Sequence, residues 1–189
     1  MLVFVWQRKE RMRAMKNILI VVDMQKDFVD GALGSKESVG IVDNVVAKIH
    51  DFEGDVIATY DTHGENYMDT QEGKKLPVPH CIKGTDGWKL DQRVQEALDK
   101  KGFIEVYKST FGSVDLVEVI RKYDVENIAI QLIGLCTDIC VVSNALLLKA
   151  NFPEMNISVD AACCAGVTPQ KHQAALETMS SCQIEVLNA

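Results

Sequence analysis

The sequence predicts an α/β protein built on a parallel β-sheet, and two observations support that prediction. Short apolar, β-branched runs alternate with segments whose apolar residues recur at helical spacing, which is typical of βαβ units. The chain of 189 residues is 47% hydrophobic and 25% charged, as expected for one globular domain with a sizeable core. We therefore expect a single α/β domain.

The predicted elements follow one another from Lys16 onwards. Helical spacing is clear in Val94, Ala97 and Leu98, for example. The predicted strands are 17–22, 55–60, 103–107, 127–133, 156–160 and 183–187, and the predicted helices are 40–51, 90–100, 114–123, 138–150 and 170–181. An irregular stretch from Asp61 to about Gly87 separates two of these units, and connections of that length in compact domains are usually functional or disordered.

Charge and cysteine content narrow the classes of function. A net charge of −7, with no basic block after the N-terminus, argues against a nucleic-acid or anionic-membrane partner and favours a small molecule. The six cysteines are clustered in apolar surroundings, which favours reduced thiols in a cytoplasmic protein over a disulfide framework. No apolar run reaches the roughly 18 residues of a transmembrane helix.

The first 15 residues differ from the rest of the chain. Their apolar residues precede their basic ones, which is the reverse of a signal peptide. We expect residues 1–15 to be an N-terminal extension and residues 16–189 to form the domain.

Polar side chains follow four of the predicted strands. Asp23 follows the first, Asp61 and His63 the second, Lys108 the third, and Cys140 comes shortly after the fourth. Because ligands of open α/β sheets bind outside the carboxyl ends of the strands, these residues are predicted to share one rim.

Cys140 is the candidate nucleophile. Gly134 permits a sharp turn after the fourth strand, and Thr137 is the predicted N-cap of the next helix. In the first helical turn, free backbone N–H groups and the helix dipole favour a thiolate and can stabilise an oxyanion. The alternative is a small buried cysteine of the core, which is how we interpret Cys163, Cys164 and Cys182.

Asp23 and Lys108 are candidate partners of that thiol. A carboxylate at the edge of the core, next to a cation, can act as a general base, although a turn aspartate is a common alternative. Lys108 is by default a solvated surface lysine. Beside a carboxylate and a cysteine it would instead hold both anions in register.

Asp61, His63 and His80 form a possible metal site. Two imidazoles and a carboxylate suit Zn²⁺, Fe²⁺ or Mn²⁺, but the spacing alone is not a specific pattern. Glu65 and Glu72 lie between the two histidines, and the sequence does not choose between them as a further ligand.

Four segments together resemble the isochorismatase-like cysteine hydrolases, and within them the nicotinamidases. The resemblance runs from about Asn17 to the C-terminus. The matching segments are Val22-Asp23-Met-Gln-Lys-Asp27-Phe28, Asp61-Thr-His63 with Pro79-His80, Lys108-Ser-Thr-Phe111-Gly112, and Gly134-Leu-Cys-Thr137-Asp138-Ile-Cys140-Val141.

This resemblance implies a fold, a set of site residues and a chemistry. The fold would be a three-layer, doubly wound, Rossmann-like sheet of six parallel strands, with a cis peptide between Leu135 and Cys136. The protein would be a homo-oligomeric amidase with one divalent metal ion. The implied site residues are the triad Asp23, Lys108 and Cys140, the oxyanion donors Cys136 and Cys140, the metal ligands Asp61, His63 and His80, and substrate contacts that include Leu135 and Cys136.

The substrate that the resemblance implies, nicotinamide, contains a pyridine ring. Two aromatic residues, Phe28 and Trp88, are candidates to contact that ring. Either is equally explained as a core residue.

Other functions remain open at this point. The nearest is a family member that hydrolyses another small amide, such as ureidoacrylate or an N-carbamoyl compound. A non-enzymatic metal or redox module belongs to a different class, but the cysteines of the candidate site, Cys136 and Cys140, do not have Cys-x-x-Cys spacing.

Overall fold

A sheet of six parallel strands, in the order β3-β2-β1-β4-β5-β6, forms the centre of the molecule. The computed structural model describes residues 15–189, and residues 1–14 of the predicted extension lie outside the described part. The strands are β1 (Lys16–Val22), β2 (Asp55–Asp61), β3 (Ile104–Lys108), β4 (Ile128–Leu135), β5 (Asn156–Ala165) and β6 (Glu185–Leu187).

Helices cover both faces of the sheet. They are α1 (Lys26–Val29), α2 (Lys36–Gly40), α3 (Val42–Asp51), α4 (Gln71–Lys75), α5 (Gln92–Lys101), α6 (Val114–Ile120), α7 (Val142–Asn151) and α8 (Pro169–Ser181), with 3₁₀ turns at Tyr67–Asp69 and Val125–Asn127. The hydrophobic residues of α6, α7 and α8 pack on one face, and those of α1, α3 and α5 pack on the other. The predicted three-layer α/β architecture is confirmed.

The central strand shows why this sequence forms a parallel sheet. Residues Ile18 to Val22 of β1 are fully buried, because helices pack on both faces and no side of the strand meets water. A continuous apolar run, rather than an alternating one, is the pattern that such burial requires.

The chain winds outward from β1 to β2 and β3, and then returns to place β4 on the other side of β1. The carboxyl ends of β1 and β4 therefore lie at the point where the winding reverses. A crevice opens at such a point, and ligands bind there in open α/β folds.

The structure corrects several sequence-based expectations. β5 continues to Ala165, five residues beyond the prediction, and its pairing with β4 shifts register after Leu132. The predicted irregular stretch contains α4 and a 3₁₀ turn. Cys182 is exposed at the end of α8 rather than buried at the start of β6, whereas Cys163 and Cys164 are buried as expected.

All six cysteines are free thiols. Among residues 15–189, no helix has the length and apolarity to cross a membrane.

Candidate active site

The backbone at the ends of β1 and β4 is shaped to bring two side chains together. Asp23, directly after β1, has a φ of +47°, and Gly134 near the end of β4 has a φ of +115°. A Cβ on Gly134 would lie 2.2 Å from the carbonyl oxygen of Val22, so only glycine lets the two strands approach this closely. The predicted cis peptide between Leu135 and Cys136 is confirmed.

Cys140 lies in a π-helical turn, Thr137–Val141, that leads directly into α7. The residue in the N-cap position is Cys136, so the prediction of Thr137 as N-cap is wrong. The carbonyl oxygen of Cys136 accepts hydrogen bonds from the N–H groups of Ile139 (3.0 Å) and Val141 (3.1 Å). Neither bond uses the N–H of Cys140, which the family resemblance implies as a donor to an oxyanion.

The ammonium of Lys108 is the centre of the site. Its Nζ lies 2.6 Å from Oδ2 of Asp23, 3.3 Å from Oδ1 of Asp61 and 3.5 Å from Sγ of Cys140. The other oxygen of Asp23, Oδ1, accepts a hydrogen bond of 2.6 Å from the hydroxyl of Thr59. The structure therefore brings the three predicted triad residues into one buried cluster.

Burial and charge set the protonation states of this cluster. Burial raises the pKa of Asp23, an effect that the Lys108 charge opposes. Burial and the carboxylate of Asp23 raise the pKa of the Cys140 thiol well above its usual value. Burial would lower the pKa of Lys108, but the charges of Asp23, Cys140 and Asp61 outweigh it and raise that pKa. The pKa values of all three groups are therefore raised, those of the carboxyl and the thiol by burial and that of the ammonium by its anionic neighbours.

The predicted metal ligands are also together. One donor atom from each of Asp61, His63 and His80 lies within 4.8 Å of the others, and all three residues are buried. Oδ2 of Asp61 lies 2.9 Å from Nε2 of His63 and 3.6 Å from Nε2 of His80. Nδ1 of His80 donates to the carbonyl oxygen of Val78 at 2.8 Å, which leaves its Nε2 as the nitrogen with a free lone pair.

This donor set fits a divalent metal ion, since two imidazoles and a carboxylate are common ligands of Zn²⁺ and related ions. Of the two glutamates left open by the sequence, the structure places Glu72 at the site. Its Oε1 lies 3.7 Å from Nε2 of His80 and 3.9 Å from Nε2 of His63. Glu65 is exposed.

A small cavity joins the thiol to the metal-ligand group, and most of its wall is apolar. Besides Cys140, Asp61 and His80, it is lined by Phe28, Leu33, Glu72, Leu76, Phe111, Cys136 and Ile139. Two of the predicted substrate contacts, Phe28 and Cys136, are therefore in the lining.

Trp88 and Leu135 do not line this cavity. Trp88 stacks on Tyr107 with ring centroids 5.8 Å apart, and its Nε1 donates to Thr62. The side chain of Leu135 is fully buried in the core. The aromatic residue that the sequence analysis missed is Phe111, which is 47% exposed at the cavity. Its position three residues after Lys108, in a loop, was the available signal.

Comparison with known proteins identifies similar chains. The isochorismatase domain family model matches residues 17–189. The uncharacterized isochorismatase family protein PncA of Bacillus subtilis is 31% identical over 145 residues, which cover 70% of this chain and 78% of that protein.

Two solved structures have the same fold. The nicotinamidase/pyrazinamidase PncA of Bacillus subtilis superimposes with a TM-score of 0.80 at 28% identity, covering 92% of this chain and 100% of the other. The pyrazinamidase of Pyrococcus horikoshii in complex with zinc has a TM-score of 0.73 at 24% identity, covering 92% of this chain and 99% of the other.

Proposed function

This chain belongs to the isochorismatase family, and from that premise we propose that it hydrolyses nicotinamide to nicotinate and ammonia through a thioester on Cys140. The observation that supports this most directly is the ammonium of Lys108, which lies within 3.5 Å of the thiol, the Asp23 carboxylate and a carboxylate of the metal-ligand group. The similarity to a nicotinamidase/pyrazinamidase structure at 28% identity supports an amide substrate.

The cavity supports a small, flat and uncharged substrate. Its lining is mostly apolar and contains no arginine or lysine among the described residues. A substrate that carries a carboxylate, such as ureidoacrylate, would find no arginine or lysine side chain in this lining. The ring of Phe28 and the ring of Phe111 are suited to contact an aromatic substrate.

The metal ion in this proposal is zinc, iron or manganese, held by Asp61, His63 and His80 with Glu72 as a further ligand or a contact through water. When bound, it would offer an open position to the ring nitrogen of nicotinamide and withdraw electrons from the ring.

The first chemical step is addition of the thiol to the amide. Asp23 takes the proton of Cys140, and Lys108 stabilises the resulting thiolate. Sulfur forms a bond to the carboxamide carbon, and the carbonyl electrons move to oxygen. The N–H groups of Cys136 and Cys140 are the proposed donors to that oxyanion.

The second part releases ammonia and restores the enzyme. As the oxyanion collapses, the C–N bond breaks and Asp23 returns its proton to the departing nitrogen, which leaves a thioester. Asp23 then accepts a proton from water, and the hydroxide so formed attacks the thioester carbon. Breaking of the C–S bond yields nicotinate, and the thiolate recovers the proton from Asp23.

The proposal also covers the domain organisation, the oligomeric state and the cellular compartment of the enzyme. The family match over residues 17–189 supports one catalytic domain from residue 16 onwards. Two exposed apolar side chains, Phe111 in the cavity lining at 47% and Val114 three residues later at 69%, support a homo-oligomer. Six free cysteines suit the reducing cytoplasm.

The test is ammonia release from nicotinamide by zinc-loaded protein, measured beside Cys140→Ala, His63→Ala and the exposed control His50→Ala. We expect no turnover from Cys140→Ala, a loss of bound zinc together with activity in His63→Ala, and parental activity in His50→Ala. Inactivity of the parent on nicotinamide, with zinc bound and Cys140 reactive, would reject this substrate and leave another small amide.

A further inference from the structure

The turn that carries Cys140 is attached to the segment that begins α8 by two side-chain hydrogen bonds. The hydroxyl of Thr137 lies 2.8 Å from Nδ1 of His172. Oδ1 of Asp138 accepts a hydrogen bond of 2.9 Å from the N–H of Val167. Thr137 is fully buried and His172 is half-buried, so the first of these bonds is partly shielded from water.

These attachments matter because the turn has no side-chain cap of its own. Cys136 occupies its N-cap position, and no side-chain oxygen caps the turn. Its backbone is held by irregular hydrogen bonds, from the N–H of Val141 to Cys136 and from the N–H of Val142 to Thr137. A π-helical turn of this kind is rare and is frequently found at functional sites.

The two segments are packed closely at this contact. A Cβ on Gly166 would lie 2.8 Å from the backbone nitrogen of His172 and 2.9 Å from Oδ1 of Asp138. These contacts place the beginning of α8 (Pro169–Ser181), which carries His172, directly against the turn that carries Thr137 and Asp138.

The imidazole of His172 is suited to this contact at neutral pH. Burial lowers its pKa, and the nearby carboxylate of Asp138 only partly opposes that effect. The ring is then neutral and can either donate to the Thr137 hydroxyl or accept from it.

We propose that His172 is a positioning residue, which through Thr137 holds the Cys136–Cys140 turn in the geometry that presents its backbone N–H groups to the oxyanion. This role rests on the proposed amidase function. Neither His172 nor Thr137 is in the lining of the cavity, so His172 acts on the reacting atoms only through the turn.

The first experiment measures kcat and KM for nicotinamide in His172→Ala, His172→Asn and His172→Gln. The amide of Asn can reach the position of Nδ1, whereas the amide of Gln reaches that of Nε2. We expect kcat to fall by about 10- to 100-fold in His172→Ala and His172→Gln, less than the complete loss of an oxyanion donor costs. KM should stay within about twofold, and His172→Asn should recover most of kcat.

If this inference is right, His172 acts through the hydroxyl of Thr137. Thr137→Val should lower kcat about as much as His172→Ala, and the double variant should fall no further, because both substitutions remove one interaction. Multiplicative losses in the double variant, or equal activity of His172→Asn and His172→Gln, would overturn the role assigned to this pair.

A second experiment separates the oxyanion donors from the thiol itself. Pyridine-3-carbaldehyde adds to a thiol to form a hemithioacetal, in which the S–C bond forms and the carbonyl oxygen takes the thiol proton or remains an oxyanion. Alkylation by iodoacetamide displaces iodide and develops no oxyanion. In His172→Ala we expect inhibition by the aldehyde to weaken about tenfold while alkylation of Cys140 keeps its parental rate.

Failure of the proposed function has a different signature. The parent protein would then release no ammonia from nicotinamide although Cys140 is alkylated. The positioning role is in that case decided by amide hydrogen exchange of the peptide containing residues 137–141. Exchange about tenfold faster in both His172→Ala and Thr137→Val supports it, and exchange at the parental rate rejects it.

Discussion

Two aspartates of this sheet are buried next to a lysine, and a comparison of the two pairs shows what a reactive site needs beyond an ion pair. Oδ2 of Asp23 lies 2.6 Å from Nζ of Lys108, and Oδ2 of Asp160 lies 2.6 Å from Nζ of Lys48. The side chains of Asp23 and Asp160 are 0% and 1% exposed. By distance and by burial of the carboxylate the two pairs are nearly the same.

Even a cysteine is present in both places. Cys140 contacts Lys108 in the first, and Cys163 lines a crevice with Asp160 and Lys48 in the second. Burial, and then the charge of Asp160, raise the pKa of the Cys163 thiol to about 11, an effect that Lys48 opposes.

The difference lies in where the groups stand on the sheet. Asp160 and Cys163 are within β5 (Asn156–Ala165), and no helix begins at either residue. Asp23 follows the end of β1, and Cys140 lies where a helix begins. Backbone N–H groups at the start of a helix can stabilise a developing negative charge, and Cys140 has such groups beside it.

The two lysines differ as well. The side chain of Lys108 is 1% exposed, whereas that of Lys48 is 28% exposed. Lys108 also contacts Asp61 and Cys140. In the other pair, the second oxygen of Asp160 accepts a hydrogen bond of 3.0 Å from the side chain of Asn188. The comparison teaches that convergence of several strand ends on one ammonium, rather than an ion pair, distinguishes the proposed active site from a structural contact.

The largest expected difference is in catalysis. Asp23→Asn removes the proposed general base and should lower kcat for nicotinamide by about 10²- to 10⁴-fold. Asp160→Asn keeps the shape of the side chain and should leave kcat within about twofold. Both are measured by ammonia release from folded protein, and a comparable loss of kcat in the two variants would remove the distinction between the pairs.

The next difference is in stability. Lys108→Met leaves the carboxylate of Asp23 buried without its cation, and we expect the free energy of unfolding to fall by about 3–5 kcal/mol. Lys48→Met should cost less, about 1 kcal/mol, because the side chain of Lys48 is 28% exposed and water can take part of the place that its ammonium leaves. Urea denaturation at neutral pH measures both values. Equal losses would show that the exposure of Lys48 has no energetic consequence.

The smallest difference is in thiol reactivity. Because the pKa of Cys163 is raised to about 11, its thiolate fraction, and hence its rate of alkylation by iodoacetamide, should rise about tenfold per pH unit from pH 7 to 9. Cys140 should react faster than Cys163 at pH 7, since Asp23 can accept its proton inside the site. Mass spectrometry of the two peptides gives both rates, and faster labelling of Cys163 at pH 7 would argue against Asp23 as the base.

Much of the fold could be predicted from the sequence because its buried strands are continuous apolar runs. The predicted starts of β1 and β4 agree with the structure to within one residue. The short helices at 26–29, 36–40 and 71–75 were missed, since four or five residues are too few to show helical periodicity. The extension of β5 to Ala165 depends on pairing with β4 across a register shift, which no local pattern records.

The candidate site could likewise be predicted only in part. Residues at strand ends, such as Asp23 and Lys108, could be predicted because the topology alone brings them to one rim. The aromatic walls could not, because their positions depend on how loops pack. Trp88 stacks on Tyr107 and does not line the cavity. Phe111 lines it instead, although the sequence suggested Trp88.

The two oxygens of Asp61 face different neighbours, and this has a consequence for how such a protein can change over evolution. Oδ1 faces Lys108 at 3.3 Å, and Oδ2 faces His63 at 2.9 Å and His80 at 3.6 Å. A substitution at this position would alter both the proposed metal site and the charge balance around the nucleophile. If the proposed metal site were lost, a carboxylate at position 61 would still stabilise the ammonium of Lys108, so this residue is constrained by the metal-ligand group and by the nucleophile at once.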